Sequence, residues 1–273
     1  MTDFKKIIIF TILVIYTIFE IGPFVWITFM SFKTTEEFYE SPYSLPLHPH
    51  FEKYPVVWID YNYSTYFLNS AIIVGGAVLI ILVLGSMAAY FFAKFSFRFS
   101  EMIFQIIFLS IMFPPQVRLI SLYQMLVEYH LINTRIGLML VYASTQLPFS
   151  IYVLRTFFES IPRDLLDAAK IDGCSEWKAF WRIMFPVARP GLTAITILNF
   201  VMLWNEFLFA VTFISSDSKR TLPLGVMRFL GEHYEDVCMV ATGVMIAVIP
   251  ILIFYIIFSE KFIEGMTVGS IKG

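Results

Sequence analysis

Several charged and amide side chains lie inside otherwise apolar stretches of this 273-residue chain. They are Glu20, Gln116, Arg118, Gln146, Asn199, Asn205 and Glu206. Such groups are costly in an apolar surrounding and usually face protein or a water-filled cavity. The first hypothesis is therefore a polar lining of a translocation pathway, in which Arg118 pairs with Glu206. The alternative is that these side chains only make polar contacts between helices or reach an interface.

No arrangement typical of catalysis or metal binding accompanies these residues. The four histidines, His48, His50, His130 and His233, do not have zinc-enzyme spacing. A phosphate-binding loop needs Gly-Lys before Ser or Thr, and no Gly-Lys pair occurs. We therefore predict that the chain is not an enzyme, has no catalytic residue and binds no metal or cofactor, so that any ATP is used by partner subunits.

The composition indicates an integral membrane protein. The chain is 58% hydrophobic and only 15% charged, and its mean hydropathy is +0.76. A soluble domain has about 45–50% apolar and about 25% charged residues. This excess of apolar residues excludes a soluble enzyme and a disordered chain, and the net charge of −2 indicates no nucleic-acid partner.

Six apolar stretches are long enough to cross a bilayer as helices, which takes about 20 residues each. They are residues 7–30, 67–93, 102–125, 137–154, 191–214 and 237–258. We predict an all-α integral membrane fold with six transmembrane helices in one domain, 1–273. Pro114 and Pro115 predict a kink or break in the third helix, because they remove two backbone donors. Two explanations of such a break are equally good: the helix lies beside a translocation pathway, or the break only shapes the helix for packing.

The basic residues of the connecting segments predict the orientation. Twelve lie on the side of the termini and six on the other side. Lys and Arg are in excess on the cytoplasmic side of membrane proteins. We therefore predict a multi-pass protein of the cytoplasmic membrane with both termini in the cytoplasm.

The segment 155–190, between spans four and five, has the pattern of a helix–turn–helix. Ser160 is a candidate N-cap of a first helix, and Gly173 would end that helix. Ser175 is a candidate N-cap of a second helix, which Pro186 and Pro190 would stop before the next span. From the residues alone, this element fits an amphipathic hairpin on the lipid surface as well as a docking site for another protein.

A longer motif in this segment is specific to one family. Asp167-Ala168-Ala169 is followed after three residues by Gly173, and after nine more by Ile183-Met184-Phe185-Pro186. The motif resembles the EAA loop of ABC-importer permeases, with Asp167 in place of Glu and Phe185 in place of Leu. Further stretches resemble the carbohydrate-uptake class, in particular its maltose-type second permease subunit. They include residues 114–117, 131–134, 147–149, 171–175, 189–192 and 204–207, together with the tail 265–273.

The resemblance implies a transmembrane permease subunit of a binding-protein-dependent ABC importer for carbohydrate. Such a subunit forms half of the pathway beside a second, non-identical permease. It works with two ATPase subunits, an extracytoplasmic solute-binding protein, a sugar substrate and membrane lipid. The first helix of the loop would be the coupling helix that docks on an ATPase, and the tail from Glu264 would also contact the ATPases. The implied coupling residues are Arg163, Asp164, Asp167, Ala168, Ala169, Lys170, Asp172 and Gly173.

Other functions remain open at this point. A permease of the same kind could carry a glycerol phosphate, a polyol or another small solute. A channel or carrier not driven by ATP would leave the loop 155–190 without a role. A membrane enzyme would need a catalytic arrangement in the spans, and the sequence contains none.

Overall fold

The computed structural model describes residues 3–232 and 235–268, with side chains for 4–232 and 235–258. Every regular element in these ranges is helical, so the predicted all-α class is confirmed. The described residues do not include His233. They also do not include residues 269–273 of the predicted docking tail, or the side chains of that tail from Glu264 onward.

The helices are numbered here in chain order. They are α1 (Asp3–Ser31), α2 (Thr35–Glu40), α3 (Lys53–Ile59), α4 (Tyr63–Ile80), α5 (Ser86–Lys94), α6 (Ser100–Leu109), α7 (Pro115–Glu128), α8 (Arg135–Ser160), α9 (Asp164–Ile171), α10 (Glu176–Ala179), α11 (Phe185–Val187), α12 (Arg189–Trp204), α13 (Leu208–Phe213), α14 (Leu222–Glu232) and α15 (Val237–Val268). Two π-helical turns, Ile81–Gly85 and Phe180–Met184, connect α4 to α5 and α10 to α11.

Four helices in the described ranges are long and apolar enough to cross a membrane. They are Phe4–Ser31, Tyr63–Lys94, Arg135–Ser160 and Val237–Phe258. Two bent pairs of helices also qualify: Ser100–Met112 with Pro115–Glu128, at 103°, and Glu176–Val187 with Arg189–Trp204, at 73°. By length and apolar composition, the described residues therefore allow four spans, or up to six if each bent pair crosses once.

The predicted break at the proline pair in the third span is present. A 3₁₀ turn, Ser110–Met112, ends the first half, and α7 begins at Pro115. Phe113 is extended, with φ −80° and ψ 121°, because the ring of the following proline disfavours the helical conformation of the residue before it.

The prediction of one helix over 191–214 is wrong in its extent. Helix α12 ends at Trp204, and α13 is a separate short helix. Asn205 leaves the helical conformation, with φ −90° and ψ 0°, and its amide donates to the carbonyl of Val201 at 2.8 Å. At the same place the Glu206 carboxylate accepts from the N–H groups of Phe209 and Ala210 and so starts a new helix, which the apolar composition of the stretch does not reveal.

The chain divides into two compact units. The first contains Met1–Ser64 and Gly225–Pro250, and the second contains Thr65–Leu224 and Ile251–Gly273. In the second unit, α5, the π turn Ile81–Gly85 and α12 pack against α8. A Cβ atom on Gly191 would lie 2.5 Å from the ring of Phe157, so this close approach of α12 to α8 requires glycine.

Candidate functional site

The first helix of segment 155–190 begins later than predicted. Ser160 is the last residue of α8, and its hydroxyl donates to the carbonyl of Phe157 at 2.7 Å. Ile161, which precedes Pro162, is extended with ψ 127° because a residue before proline avoids the helical region. The prediction that Ser160 caps α9 is therefore wrong: α9 begins at Asp164 and has no side-chain cap.

The predicted end of α9 at Gly173 is present. Gly173 has φ +75°, a left-handed conformation that glycine adopts without steric cost. Its N–H donates to the carbonyl of Lys170 at 3.0 Å, and the N–H of Cys174 donates to the carbonyl of Ala169 at 2.9 Å. These two bonds form a Schellman motif, which satisfies the last carbonyls of the helix.

The second helix ends before the next span, within the predicted proline pair. Ser175 caps it as expected, by accepting from the N–H of Lys178. The helix continues through the π turn Phe180–Met184 and past Pro186 to Val187, because the π turn already replaces the regular hydrogen bonds before Pro186. It ends ahead of Pro190, which lies in the first turn of α12.

An aromatic cluster fixes this second helix to the second unit. Phe180 is buried and lies 5.1 Å from Tyr90 and 4.9 Å from Trp181, measured between ring centroids. Ala179 and Met184 on the same helix are fully buried. Side chains in such tight contact move as one body, so the second helix is a rigid support for the turn.

Helix α9 projects most of the predicted coupling residues outward. Only one of them, Ala169, is buried, together with the neighbouring Leu166. The exposed members are Arg163, Asp164, Asp167, Ala168, Lys170, Asp172 and Gly173. Ile171 is 86% exposed and Leu165 is 41% exposed. Neither of these two apolar residues is a defined position of the motif, and only Ile171 falls in a stretch that resembles the carbohydrate-uptake class, residues 171–175.

Polar contacts hold the two ends of the loop. Lys170 on α9 forms an ion pair with Glu176, the first residue of α10, at 2.7 Å. This hydrogen-bonded carboxylate raises the pKa of the Lys170 ammonium group. The other oxygen of Glu176 lies 3.4 Å from the hydroxyl of Tyr90 on α5. At the start of the loop, Lys94 donates to the carbonyl of Ile161 at 2.6 Å.

The pathway candidates have different environments. Asn199 is fully buried, and its amide donates to the Ser150 hydroxyl and to the Ile195 carbonyl, both at 2.9 Å. This contact joins α12 to α8. It favours the alternative hypothesis for Asn199, an interhelical polar contact.

Glu206 and Arg118 do not form the expected pair. The Glu206 carboxylate accepts from the backbone N–H groups of Phe209, at 2.7 Å, and Ala210, at 3.1 Å, and so caps α13. In the described part of the chain, no ion pair joins it to Arg118, whose Nε is buried without a hydrogen-bond partner there. The first N–H groups of a helix have no partner within the helix. Those of Phe209 and Ala210 lie three and four residues after Glu206, nearer along the chain than any cation, so the Glu206 carboxylate caps α13.

The other candidates are at least partly accessible. Gln116, Asn205 and Glu20 are exposed, while Gln146 and Arg118 are half-buried. Gln116 and Arg118 lie on the first turns of α7, directly after the proline break. Within the described ranges no group of three His, Cys, Asp or Glu side chains could hold a metal ion.

Residues 81–260 match the protein family described as "Binding-protein-dependent transport system inner membrane component". The diacetylchitobiose uptake system permease protein NgcG of Streptomyces coelicolor is 36% identical, over 96% of this chain and 87% of the relative. The sulfoquinovosyl glycerol transport system permease protein SmoH of Agrobacterium fabrum is 32% identical, over 92% and 88%. A crystal structure of a bacterial ABC transporter involved in alginate import has a chain with a TM-score of 0.85, 22% identity, and coverage of 95% and 97%.

These similarities confirm the resemblance indicated by the motif in loop 155–190. The matched range contains that loop and the helices on both sides of it. The two relatives extend the similarity to the N-terminal part of the chain, and the solved structure shows the same fold. The chain is therefore a member of the family of inner membrane components of binding-protein-dependent transport systems.

Proposed function

We propose that this chain is the transmembrane permease subunit of an ABC importer for carbohydrate, and that it forms half of the translocation pathway. Family membership supports the dependence on a binding protein. The names of the relatives support a carbohydrate, because NgcG belongs to a diacetylchitobiose uptake system and SmoH to a sulfoquinovosyl glycerol transport system. The remaining partners are a second, non-identical permease and two ATPase subunits.

The observation that carries this proposal is the surface of α9. Its exposed charges are of both signs, with Arg163 and Lys170 beside Asp164 and Asp167, and can form charge-assisted hydrogen bonds to a partner. Leu165 and Ile171 add exposed apolar area. A short helix with this surface, on a rigid aromatic support, suits docking in a cleft of an ATPase subunit.

In this function α9 transmits the closure of the ATPases to the spans. Displacement of α9 would pass through Lys170 and Glu176 to α10, and from there through Phe180 and Tyr90 to α5. ATP binds to the partner subunits, and this chain binds no cofactor. The loop and both termini then lie in the cytoplasm, in agreement with the excess of basic residues on that side.

A pull-down of the tagged chain from its membrane, next to a Gly173→Asn variant, tests the docking step. Asn tolerates the left-handed conformation, and a Cβ at position 173 meets no atom of the described residues within 4 Å. The variant therefore keeps the turn but adds a side chain to the docking surface. We expect the wild type, and a Glu40→Ala control in α2, to recover an ATPase subunit that the variant loses.

Failure of the wild type to recover any ATPase, even after crosslinking, would overturn the importer function. The carbohydrate assignment needs a separate measurement. Deletion of the chain should abolish the uptake of one radiolabelled oligosaccharide from a panel, and the wild-type chain should restore it. The deletion strain could instead take up every sugar but lose the uptake of glycerol phosphate or a polyol. That result would change the proposed substrate, and the chain would still be an importer subunit.

A further inference from the structure

The segment after α2 folds back beside the first span. The indole N–H of Trp26 on α1 donates to the carbonyl of Pro42 at 3.1 Å. The ring of Tyr43 stacks on Trp26, with 6.1 Å between centroids and 29° between planes. Residues 42 and 43 therefore lie at the level of Trp26 along the axis of α1, and not beyond its end.

The length of α1 gives the depth of this level. Its 29 residues correspond to about 44 Å at a rise of 1.5 Å per residue. A bilayer is about 40–45 Å thick, and its hydrocarbon core is about 30 Å thick. If α1 is centred, each end extends about 7 Å beyond the hydrocarbon core. Trp26 lies five residues before Ser31, which places it and Tyr43 at the boundary between hydrocarbon and headgroups.

A buried lysine holds the segment in this position. Lys33 is 2% exposed, and its ammonium group donates to the carbonyl of Ser41 at 2.7 Å and to the hydroxyl of Ser44 at 2.9 Å. The carbonyl of Phe32 accepts from the N–H of His50 at 2.9 Å. Both ends of residues 41–50 are thus tied to the end of α1.

The side chains that this arrangement presents are apolar. Tyr43 is 85% exposed, Leu45 63% and Leu47 87%. Tyr43 also borders a groove of about 390 Å³ along α1, which passes over Gly22 and Phe29. A Cβ on Gly22 would meet no atom of the described residues within 4 Å, so the space above Gly22 in the groove is free.

We propose that residues 42–47 form a lipid anchor, which inserts Tyr43, Leu45 and Leu47 into the headgroup boundary and packs an acyl chain against the groove. Two observations select lipid as the occupant. The segment lies at the depth where aromatic side chains favour the membrane interface. Its exposed surface is also continuous with that of α1, whose apolar window has no buried residue. Lys33 is the positioning residue of this anchor.

Photocrosslinking in the membrane tests the anchor on the full chain. A benzophenone amino acid replaces Leu47 or Tyr43, with Ile18 on the exposed surface of α1 as positive control and Glu36 on α2 as negative control. Mass spectrometry then identifies the adducts. We expect phospholipid adducts at 43 and 47 at a yield close to that at 18, and at least about fivefold above that at 36.

Two results would overturn the anchor: adducts with a polypeptide at 43 and 47, or no lipid adduct there while Ile18 gives one. The positioning role of Lys33 is tested with Lys33→Met, which should lower the yield of lipid adducts at position 47 but not at position 18. Ser44→Ala removes only one of the two acceptors of Lys33 and should give a smaller decrease. This variant provides the test if Lys33→Met does not insert into the membrane. An unchanged yield in both variants would exclude the positioning role of Lys33.

Discussion

The carboxylate of Glu176 lies 2.7 Å from the ammonium nitrogen of Lys170, across the turn that joins α9 to α10. The same carboxylate reaches the hydroxyl of Tyr90 at 3.4 Å. Glu176 therefore contacts both the exposed loop helix and a membrane-spanning helix. Both members of the ion pair are about half exposed, so the pair orients α9 more than it stabilises the fold.

We expect Glu176→Gln to reduce the coupling of ATP hydrolysis to uptake. The change should have little effect on the free energy of unfolding, since exposed ion pairs contribute little. The measurement is the number of solute molecules imported per ATP hydrolysed. The reversed pair, Lys170→Glu with Glu176→Lys, is the control and should recover part of the coupling. A normal ratio in Glu176→Gln would contradict the transmission route.

The pH dependence of this pair follows from the raised pKa of Lys170. A lysine with a raised pKa contributes stability that is complete below its ordinary pKa of about 10.4 and is lost as the pH rises through the folded-state value. The lysine side of the pair is therefore constant between pH 6 and 9. A decrease in coupling between pH 6 and 9 that depends on Lys170 would contradict the raised pKa of this lysine.

A double-mutant cycle of Arg118→Ala and Glu206→Ala should show no coupling between the two positions. Glu206→Ala removes the cap of α13 and should cost about 1 kcal/mol. Arg118→Ala does not affect that cap, so the two effects should add within about 0.5 kcal/mol. The free energies of unfolding of the purified chains in detergent provide the test. An interaction energy above about 1 kcal/mol would instead restore the ion pair that the sequence suggested.

Thiol labelling should separate the buried candidate from an exposed one. In a background of Cys174→Ser and Cys238→Ala, we expect Asn205→Cys to react with a water-soluble thiol reagent and Asn199→Cys to remain unmodified. Asn205 is exposed, whereas Asn199 is fully buried between α12 and α8. Labelling at 199 as rapid as that at 205 would mean that Asn199 faces water in the membrane and belongs to the pathway.

The segment around His50 should be more stable at mildly acidic pH. Nδ1 of His50 lies 2.6 Å from Glu52, and Nε2 lies 3.6 Å from Glu37. The hydrogen bond with Glu52, and then the charges of Glu52 and Glu37, raise the pKa of His50. The stabilisation is therefore complete below the ordinary pKa of about 6.5 and decreases as the pH rises through the folded-state value.

Hydrogen exchange of the α2 amides, corrected for intrinsic rates, measures this effect. Protection should be greater at pH 5.5 than at pH 8. His50→Gln should remove the difference, while the amides of α9 serve as an internal control. The pKa values of Glu37 and Glu52 are lowered, so both remain charged in this range. Equal protection at the two pH values in the wild type would contradict the role of His50.

Local patterns were sufficient for the fold class, the apolar stretches and the turn at Gly173. A run of about 20 apolar residues satisfies its backbone groups within one helix, so its composition predicts a span without knowledge of its neighbours. The turn is equally local, because Gly173, Cys174 and the carbonyls of Lys170 and Ala169 that accept from their N–H groups lie within six residues.

The candidate site was predicted less completely than the fold. The motif identified the loop, but it did not reveal that Ala169 faces inward, that Ile171 is exposed, or that Glu176 joins the loop to Tyr90. The proline pair predicted the break in the third span, whereas the break at Asn205 is followed by a new helix whose first N–H groups are satisfied by the Glu206 carboxylate.

An all-α membrane protein with a family-specific loop could therefore be predicted from the amino-acid order alone, because helix length, apolar content and the conformation of glycine are local properties. Which polar residues find partners depends on packing. Asn199 is bonded to Ser150, 49 positions away, and Tyr43 stacks on Trp26. The physical reason is that these contacts depend on how distant helices pack, and packing is set by the whole chain and not by any one segment of it.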